Sequence, residues 1–450
     1  MLGLVILLLA LYFYFTKAKK HLALFFVFAL LTAGFQFIPV HLMILPGFGI
    51  GKSYDWMLIF LVIILCVKPS VFFEAALWKE FKHVKLFFLV LVGLLFYSIY
   101  IQNVELSISV RVFRNFIFIL SVFLFCSLER VEISKVFGLI IYFTSFGALL
   151  YCLQNFLHIS LLNTVLDDYQ PATIDMQVNS GIARYYNLPV YVVPVLFFLL
   201  FDDRLVRGKM KWVCISANAL AIVFSQHRNL FLSILVCLII YYVIRHRVSL
   251  VKLVVVSILS IFLLVGIDSV LGNRFSEGFT DIKSVLSNGL NENDLMAANM
   301  ADMSTSEFRF YLFYERWNYV SKDILHSLFG IGLITEDSRV ARTLSFNVGG
   351  ATDETGTISQ VDTSDIAWAP LIIYFGVAGS IIFLSVYFNL MVRFYKYRDD
   401  KTMIVGFLFL ISLFFTSFYS ILLISQFTIS LLMLFAAYQY KLKSGTTNDQ

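Results

Sequence analysis

WVCISANALAIVFSQHRNLFLSILVCLIIYYVI, residues 212–244, decides how this chain is built. Arg228 is the only side chain of fixed charge in the 33 residues, and His227 beside it can titrate. As one helix the run would be ~50 Å long, well beyond the ~30 Å of a bilayer's hydrocarbon. Broken in the middle, it gives two short spans, 212–226 and 229–244, with His227, Arg228 and Asn229 at the turn. An arginine costs ~3 kcal/mol at the bilayer centre on insertion scales and little at its interface. The run therefore predicts a helical hairpin with Arg228 at the membrane surface, at the rim of a helix bundle.

Composition extends this reading to the whole chain. Of 450 residues, 60% are hydrophobic and 14% charged, against roughly 25% charged in soluble domains. With 48 Phe and 23 Tyr, water cannot be the solvent for most of the surface. The expected fold is an all-α polytopic integral membrane protein of about 12–14 transmembrane helices. Thirteen spans are predicted: 2–16, 22–40, 55–67, 86–101, 112–128, 136–156, 187–201, 212–226, 229–244, 253–270, 366–392, 402–418 and 421–439. Cys66, Cys126, Cys152, Cys214 and Cys237 lie in or beside apolar runs and not in the longest polar loop, which argues against a disulfide framework. CxxC and HExxH spacings are absent, so neither metal nor cofactor is expected.

Orientation follows from the basic residues. Loops 17–21, 68–85, 129–135, 202–211, 245–252, 393–401 and 440–450 hold 22 of the 34 Lys and Arg and are assigned to the cytoplasm. Of the other 12, seven lie in one long loop, where the rule counts weakly. The first apolar run has no positive charge before it and Lys17, Lys19 and Lys20 after it, the order of a retained helix with its N-terminus outside. The domains expected are a bundle of about ten helices over 1–270, a large outer loop at 271–365, helices over 366–440 and a cytoplasmic tail at 441–450, disordered over KSGTTNDQ, residues 443–450. The loop holds one predicted helix around 305–329, with Ser304 and Glu307 as capping box and Gly330 as its stop. Residues 157–186 form a second outer loop.

The outer side then collects Arg111, Arg114, Arg184, Arg228, Arg274, Arg309, Arg316, Arg339 and Arg342. Guanidinium forks suit phosphate oxygens bidentately, so the set fits a lipid diphosphate. Each one singly could instead snorkel to headgroups or pair with a carboxylate. Asp362 and Asp365 precede the span at 366. A partly desolvated carboxylate there could take a proton from a sugar hydroxyl, or it could cap the helix. His227 is a candidate base or phosphate donor; His326 reads as a surface residue. Asp167, Asp168 and Asp175 read as a solvated acidic loop. Tyr185, Tyr186, Trp317 and Trp368 could stack on sugars or form an interfacial belt.

Three blocks resemble the O-antigen ligase and Wzy-type polysaccharide polymerase superfamily of bacterial envelope enzymes. GIARYYNLPVYVVPV is similar to the family's arginine, then Asn/Pro, leading into a span; FSQHRNLFLSIL is similar to its Ser-x-x-Arg at a helix start. The third block runs from FRFYLFYERW through LFGIG to DTSDIAWAPLIIYFGVAG, with Gly376 and Gly379 as a Gly-x-x-Gly. The resemblance covers roughly 180–390. Family ligases have His-Asn eleven residues before that glycine; here the position holds Asp365, which favours the polymerase branch.

The resemblance implies a GT-C-like, metal-independent glycosyltransferase of the bacterial inner membrane with its active site facing the periplasm. Donor and acceptor would be undecaprenyl-diphosphate-linked glycans, joined into O-antigen or capsule-type polysaccharide. Arg184, Arg228 and Arg309 would hold the diphosphate, helped by Arg316 and His227, and Asp365 would sit near the acceptor hydroxyl, with Arg228 also catalytic. Membrane lipids and a chain-length regulator are the implied partners, and no nucleic acid. An O-antigen ligase and a lipid-linked oligosaccharide flippase stand as alternatives. The absence of repeated halves and the 95-residue loop argue against the flippase.

Overall fold

The computed structural model describes residues 1–16, 19–45, 50–165, 185–246, 305–350, 358–361 and 365–447, with the backbone alone at 228, 246, 305–306 and 445–447. The span expected at 253–270 and Ser304 of the capping box lie outside these residues, as do Arg184, Arg274, Asp362 and the three aspartates at 167, 168 and 175. The described residues are mostly helical and form no β-strand. The principal helices are α1 (Leu2–Phe15), α2 (Lys20–Leu31), α3 (Asp55–Val67), α4 (Lys82–Tyr100), α5 (Leu106–Cys126), α6 (Arg130–Leu157), α7 (Val192–Phe201), α8 (Gly208–Phe224), α9 (Arg228–His246), α10 (Thr305–Ser321), α11 (Ile324–Phe329), α12 (Trp368–Lys396), α13 (Lys401–Thr416) and α14 (Gln426–Thr447).

Helices α4, α5, α6 and α12 are long and apolar enough to cross a membrane. Their surfaces suit lipid. On α4, Leu86, Leu89, Phe96 and Tyr100 point outward while Val84, Phe87, Leu91 and Leu94 are buried. On α6, Tyr142, Phe146, Leu149, Leu153 and Phe156 form an exposed apolar stripe at helical spacing. Such stripes are costly in water and neutral in hydrocarbon. Helix is the form these runs take because hydrocarbon offers backbone groups no other partners.

The run at 212–244 does break in the middle. Helix α8 stops at Phe224 and α9 begins at Arg228, with Gln226 between them in the left-handed region at φ 52°. The Ser225 hydroxyl donates to Ile222 O at 2.7 Å. The halves then part company: α8 packs on α6 and α7, whereas α9 packs on α13.

Four expectations need correction. The span at 22–40 ends at Leu31, after which Ala33, Gly34, Phe35 and Gln36 all take positive φ. Thr32 stops the helix by donating to Phe28 O and accepting from Phe35 N–H. Gln36 is then buried as a polar hub, its amide donating to Asn163 O and Asn187 O and accepting from Val190 N–H. The helix expected over 187–201 starts only at Val192, because Asn187 is held by Gln154 Nε2 and by Leu162 O. The helix around 305–329 is two helices, since Asp323 caps a new start through His326 N–H at 3.1 Å. The tail is helical to Thr447, anchored by Lys443 on Glu80 at 2.9 Å.

The bundle has two chemically distinct ends. At one, Arg130 reaches Asp400 at 3.0 Å and Tyr438 Oη at 2.9 Å. Arg204 bridges Asp202 and Asp400 at 2.7 and 3.4 Å. Arg393 pairs with Glu80 at 2.7 Å. Five of the seven basic loops therefore meet there: 68–85, 129–135, 202–211, 393–401 and 440–450. At the opposite end, Arg114 pairs with Asp55 at 2.8 Å, Arg111 with Asp337 at 2.9 Å and Arg339 with Glu105 at 3.2 Å. The first pair joins α5 to the start of α3, and the other two place residues 337–339 against the start of α5, at the end away from the basic loops.

Candidate functional site

The site is organised by a break in α12. Gly376 adopts φ 62° and ψ −164° inside the helix, which removes Ile373 O from the regular ladder. The chain after α11 supplies the missing donors: Ile331 N–H at 2.8 Å and Gly332 N–H at 3.3 Å. Gly330 and Gly332 stand at φ 72° and 110°. A Cβ on Gly376 would lie 2.5 Å from Gly330 N, and one on Gly332 would lie 2.7 Å from Ser98 Oγ. Only glycine permits that approach. The Gly-x-Gly and the first Gly of the Gly-x-x-Gly are thus one backbone joint. Tyr97 secures it by donating to Gly330 O at 3.2 Å, and Ser98 Oγ accepts from Leu333 N–H at 2.8 Å.

The joint sets α10, α11 and the start of α12 side by side, which brings Arg309 and Asp365 together. Arg309 Nη2 and Nε reach the same carboxylate oxygen, Oδ1, at 2.9 and 3.3 Å. The two side chains are 20% and 28% exposed, so the pair is partly dry but open. The helix-cap reading of Asp365 does not apply, because α12 starts from Ala367 with no side-chain cap. The Arg309 guanidinium also lies over the Tyr419 ring at 5.5 Å. Trp368 Nε1 donates to Ser417 Oγ at 2.9 Å, and Ala367 N–H to Ser417 O at 3.1 Å, tying the α13–α14 turn to the same place. Ser417 and Tyr419 were not singled out from the sequence. The signal was the gap 419–420 between two predicted spans, which hydropathy places on the side of Asp365.

Arg228 enters by register. Cys237 of α9 donates to Leu408 O of α13 at 3.4 Å; further along α9, Tyr241 stacks on Phe201 of α7, next to Asp202, which accepts from the Thr402 hydroxyl at the start of α13, so α9 and α13 run antiparallel. Arg228 lies nine residues before Cys237, and Thr416 eight residues after Leu408. At 1.5 Å per residue these are ~13 and ~12 Å. The backbone of Arg228 is therefore level with the turn that carries Ser417 and Tyr419. The first two blocks of the resemblance also touch: the Tyr186 ring sits edge-on to His227 at 6.0 Å. Tyr151 Oη donates to Tyr185 O at 2.7 Å, and burial raises the hydroxyl pKa of Tyr185.

Other candidates fall elsewhere. Arg316 is wholly buried, lies 4.4 Å above the Phe346 ring, and bonds Glu315, Ser359 O and Gln360 O. Its guanidinium clamps the 358–361 segment and offers no open face to a diphosphate, so the phosphate role expected of it is corrected. Glu315 takes the N–H groups of Asn347 and Val348, and Glu336 those of Gln360 and Val361. Arg111, Arg114 and Arg339 are engaged by carboxylates. His326 is half-buried between Gln102 and Asp323 and stacks on Tyr319. Among the described residues, no three His, Cys, Asp or Glu gather into a metal-binding group. No protein-family model matches the chain, and no curated protein matches it.

Proposed function

We propose that this protein is a glycosyltransferase that polymerises oligosaccharide repeat units carried on undecaprenyl diphosphate, at the outer face of a bacterial cytoplasmic membrane. The observation that carries the reading is the Arg309–Asp365 pair, partly desolvated at the end of the bundle away from the basic loops and backed by Tyr419. The donor's diphosphate would compete with Asp365 for Arg309. Displacement leaves the guanidinium on phosphate oxygens and frees the carboxylate. The acceptor's sugar hydroxyl then attacks the donor's anomeric carbon and gives its proton to Asp365. The bond from that carbon to the diphosphate breaks, and the lipid diphosphate leaves with the electron pair. Arg228, level with this turn, and Arg184 would add positive charge where it develops, each contribution on the order of a few kcal/mol in a dry site.

The test is reconstitution of purified protein in vesicles with lipid-linked repeats, with product length read on gels. Arg309→Ala and Arg228→Ala should leave single repeats only, while both proteins remain in the membrane. Long chains from either variant would end the proposal. In cells, loss of the protein should leave one repeat on the lipid A core. No repeat on the core would point to a ligase, and cytoplasmic build-up of lipid-linked units to a flippase.

A further inference from the structure

At the basic end of the bundle, far from Arg309, the turn between α7 and α8 leaves an open cavity of about 470 Å³ lined by Asp203, Arg204, Arg207, Lys211 and Lys401. These charges are not equally engaged. Arg204 is taken by Asp202 and Asp400, and Lys401 by Asp203. Arg207 has no carboxylate partner among the described residues, and Lys211 acts on Asp203 only through space. Two cations are therefore available to an outside anion. Gly208 and Lys211 line the cavity from α8, and the α8 residues flanking Lys211 beside it are apolar and bare: Met210, Trp212 and Val213 are 54%, 69% and 50% exposed. A bare Trp directly beside basic residues suits the headgroup level of a bilayer, where one side of the residue is wet and the other greasy.

We propose that this cavity binds the phosphodiester of an anionic phospholipid, with Arg207 and Lys211 on the phosphate and Trp212 against the glycerol and upper acyl chain. Basic hollows between membrane helices recognise acidic headgroups in this way. A free phosphate ion shares the charge but has no use for the apolar rim, which is why the lipid is the occupant chosen.

The experiment is native mass spectrometry of the whole protein released from detergent, titrated with phosphatidylglycerol against phosphatidylcholine. Wild type should prefer phosphatidylglycerol, and Arg207→Gln/Lys211→Gln should bind it about tenfold or more weakly, two basic contacts being removed. Lys79→Gln/Lys82→Gln, at the same end of the bundle, should keep wild-type binding. Trp212→Ser leaves the charges in place and should also weaken phosphatidylglycerol binding, which covers the case in which the double variant misfolds. Equal losses from both lysine-containing pairs, no headgroup preference in wild type, or displacement of the lipid by millimolar inorganic phosphate would each overturn the proposal.

Discussion

Gly330 and Gly376 meet backbone to backbone, a contact that neither the helix stop read at Gly330 nor the Gly-x-x-Gly at Gly376 announces. Alanine at 376 would be strained at φ 62° and would push its Cβ to 2.5 Å from Gly330 N. With ψ −164° the backbone lies in a region essentially reserved for glycine, costing on the order of 1–3 kcal/mol for any other residue, and the overlap must be relieved by moving backbone. Gly376→Ala is therefore expected to lower stability by more than about 2 kcal/mol, read as a drop in the thermal unfolding midpoint in detergent. An unchanged midpoint would mean the joint is slack. At Arg309, both donors go to Asp365 Oδ1. Arg309→Lys keeps the charge and loses the fork, so polymer formation should fall nearly as far as with alanine. Asp365→Asn and Asp365→Ala should both be inactive if the residue is a base. Activity in the asparagine variant alone would leave it a positioning residue. The pairing of Arg309 with Asp365 was not legible, although each was a candidate, because 56 residues separate them and only the glycine joint aligns their helices.

Among the elements, α8 and α9 were legible because a length limit and one charge dictated the break. What they pack on was not, since hairpin neighbours normally touch and these separate toward α6, α7 and α13. The stop of α2 at Leu31 was hidden for a different reason. Thr32 and Gln36 are individually tolerable in an apolar helix, and the partners of Gln36 lie more than a hundred residues away. The short helix α7 is fixed at its far end by a charge network that yields a pH dependence. Burial alone would raise the Asp202 carboxyl, but the Arg204 side chain and backbone and Thr402 outweigh it and hold the pKa below the usual range. Glu80 is held down in the same way by Lys443 and Arg393 against its burial. Depressed carboxylates stabilise the fold above their unfolded pKa, about 4, and that contribution drains away as pH falls through the lower folded value. Thermal stability in detergent should accordingly decline below about pH 4. Asp202→Asn should cost about 1–3 kcal/mol at pH 7, discounted because Arg204 is partly exposed, and should flatten the acid limb. An unaltered acid limb in the variant would show that Asp202 does not carry it.

Taken whole, the molecule has two ends about 29 Å apart along α4, estimated from its 19 residues at 1.5 Å each. Lys79 stands at one end, and Arg339, 87% exposed, at the other through its pair with Glu105. Single cysteines at 79 and 339 should label with an impermeant maleimide from opposite sides of sealed vesicles. Labelling from the same side would remove the membrane arrangement and the proposed function with it. The amino-acid sequence by itself determined the apolar helices, a break close to Arg228 and the grouping of five of the seven basic loops, because hydropathy and charge act over a single turn or span and need no distant partner. The tertiary structure alone decided that α12 kinks onto Gly330, that Arg316 is buried while Arg309 reaches Asp365, and that Gln36 closes a polar core. Each of these depends on hydrogen bonds and close approaches between segments far apart in the chain, whose geometry exists only once the helices have packed.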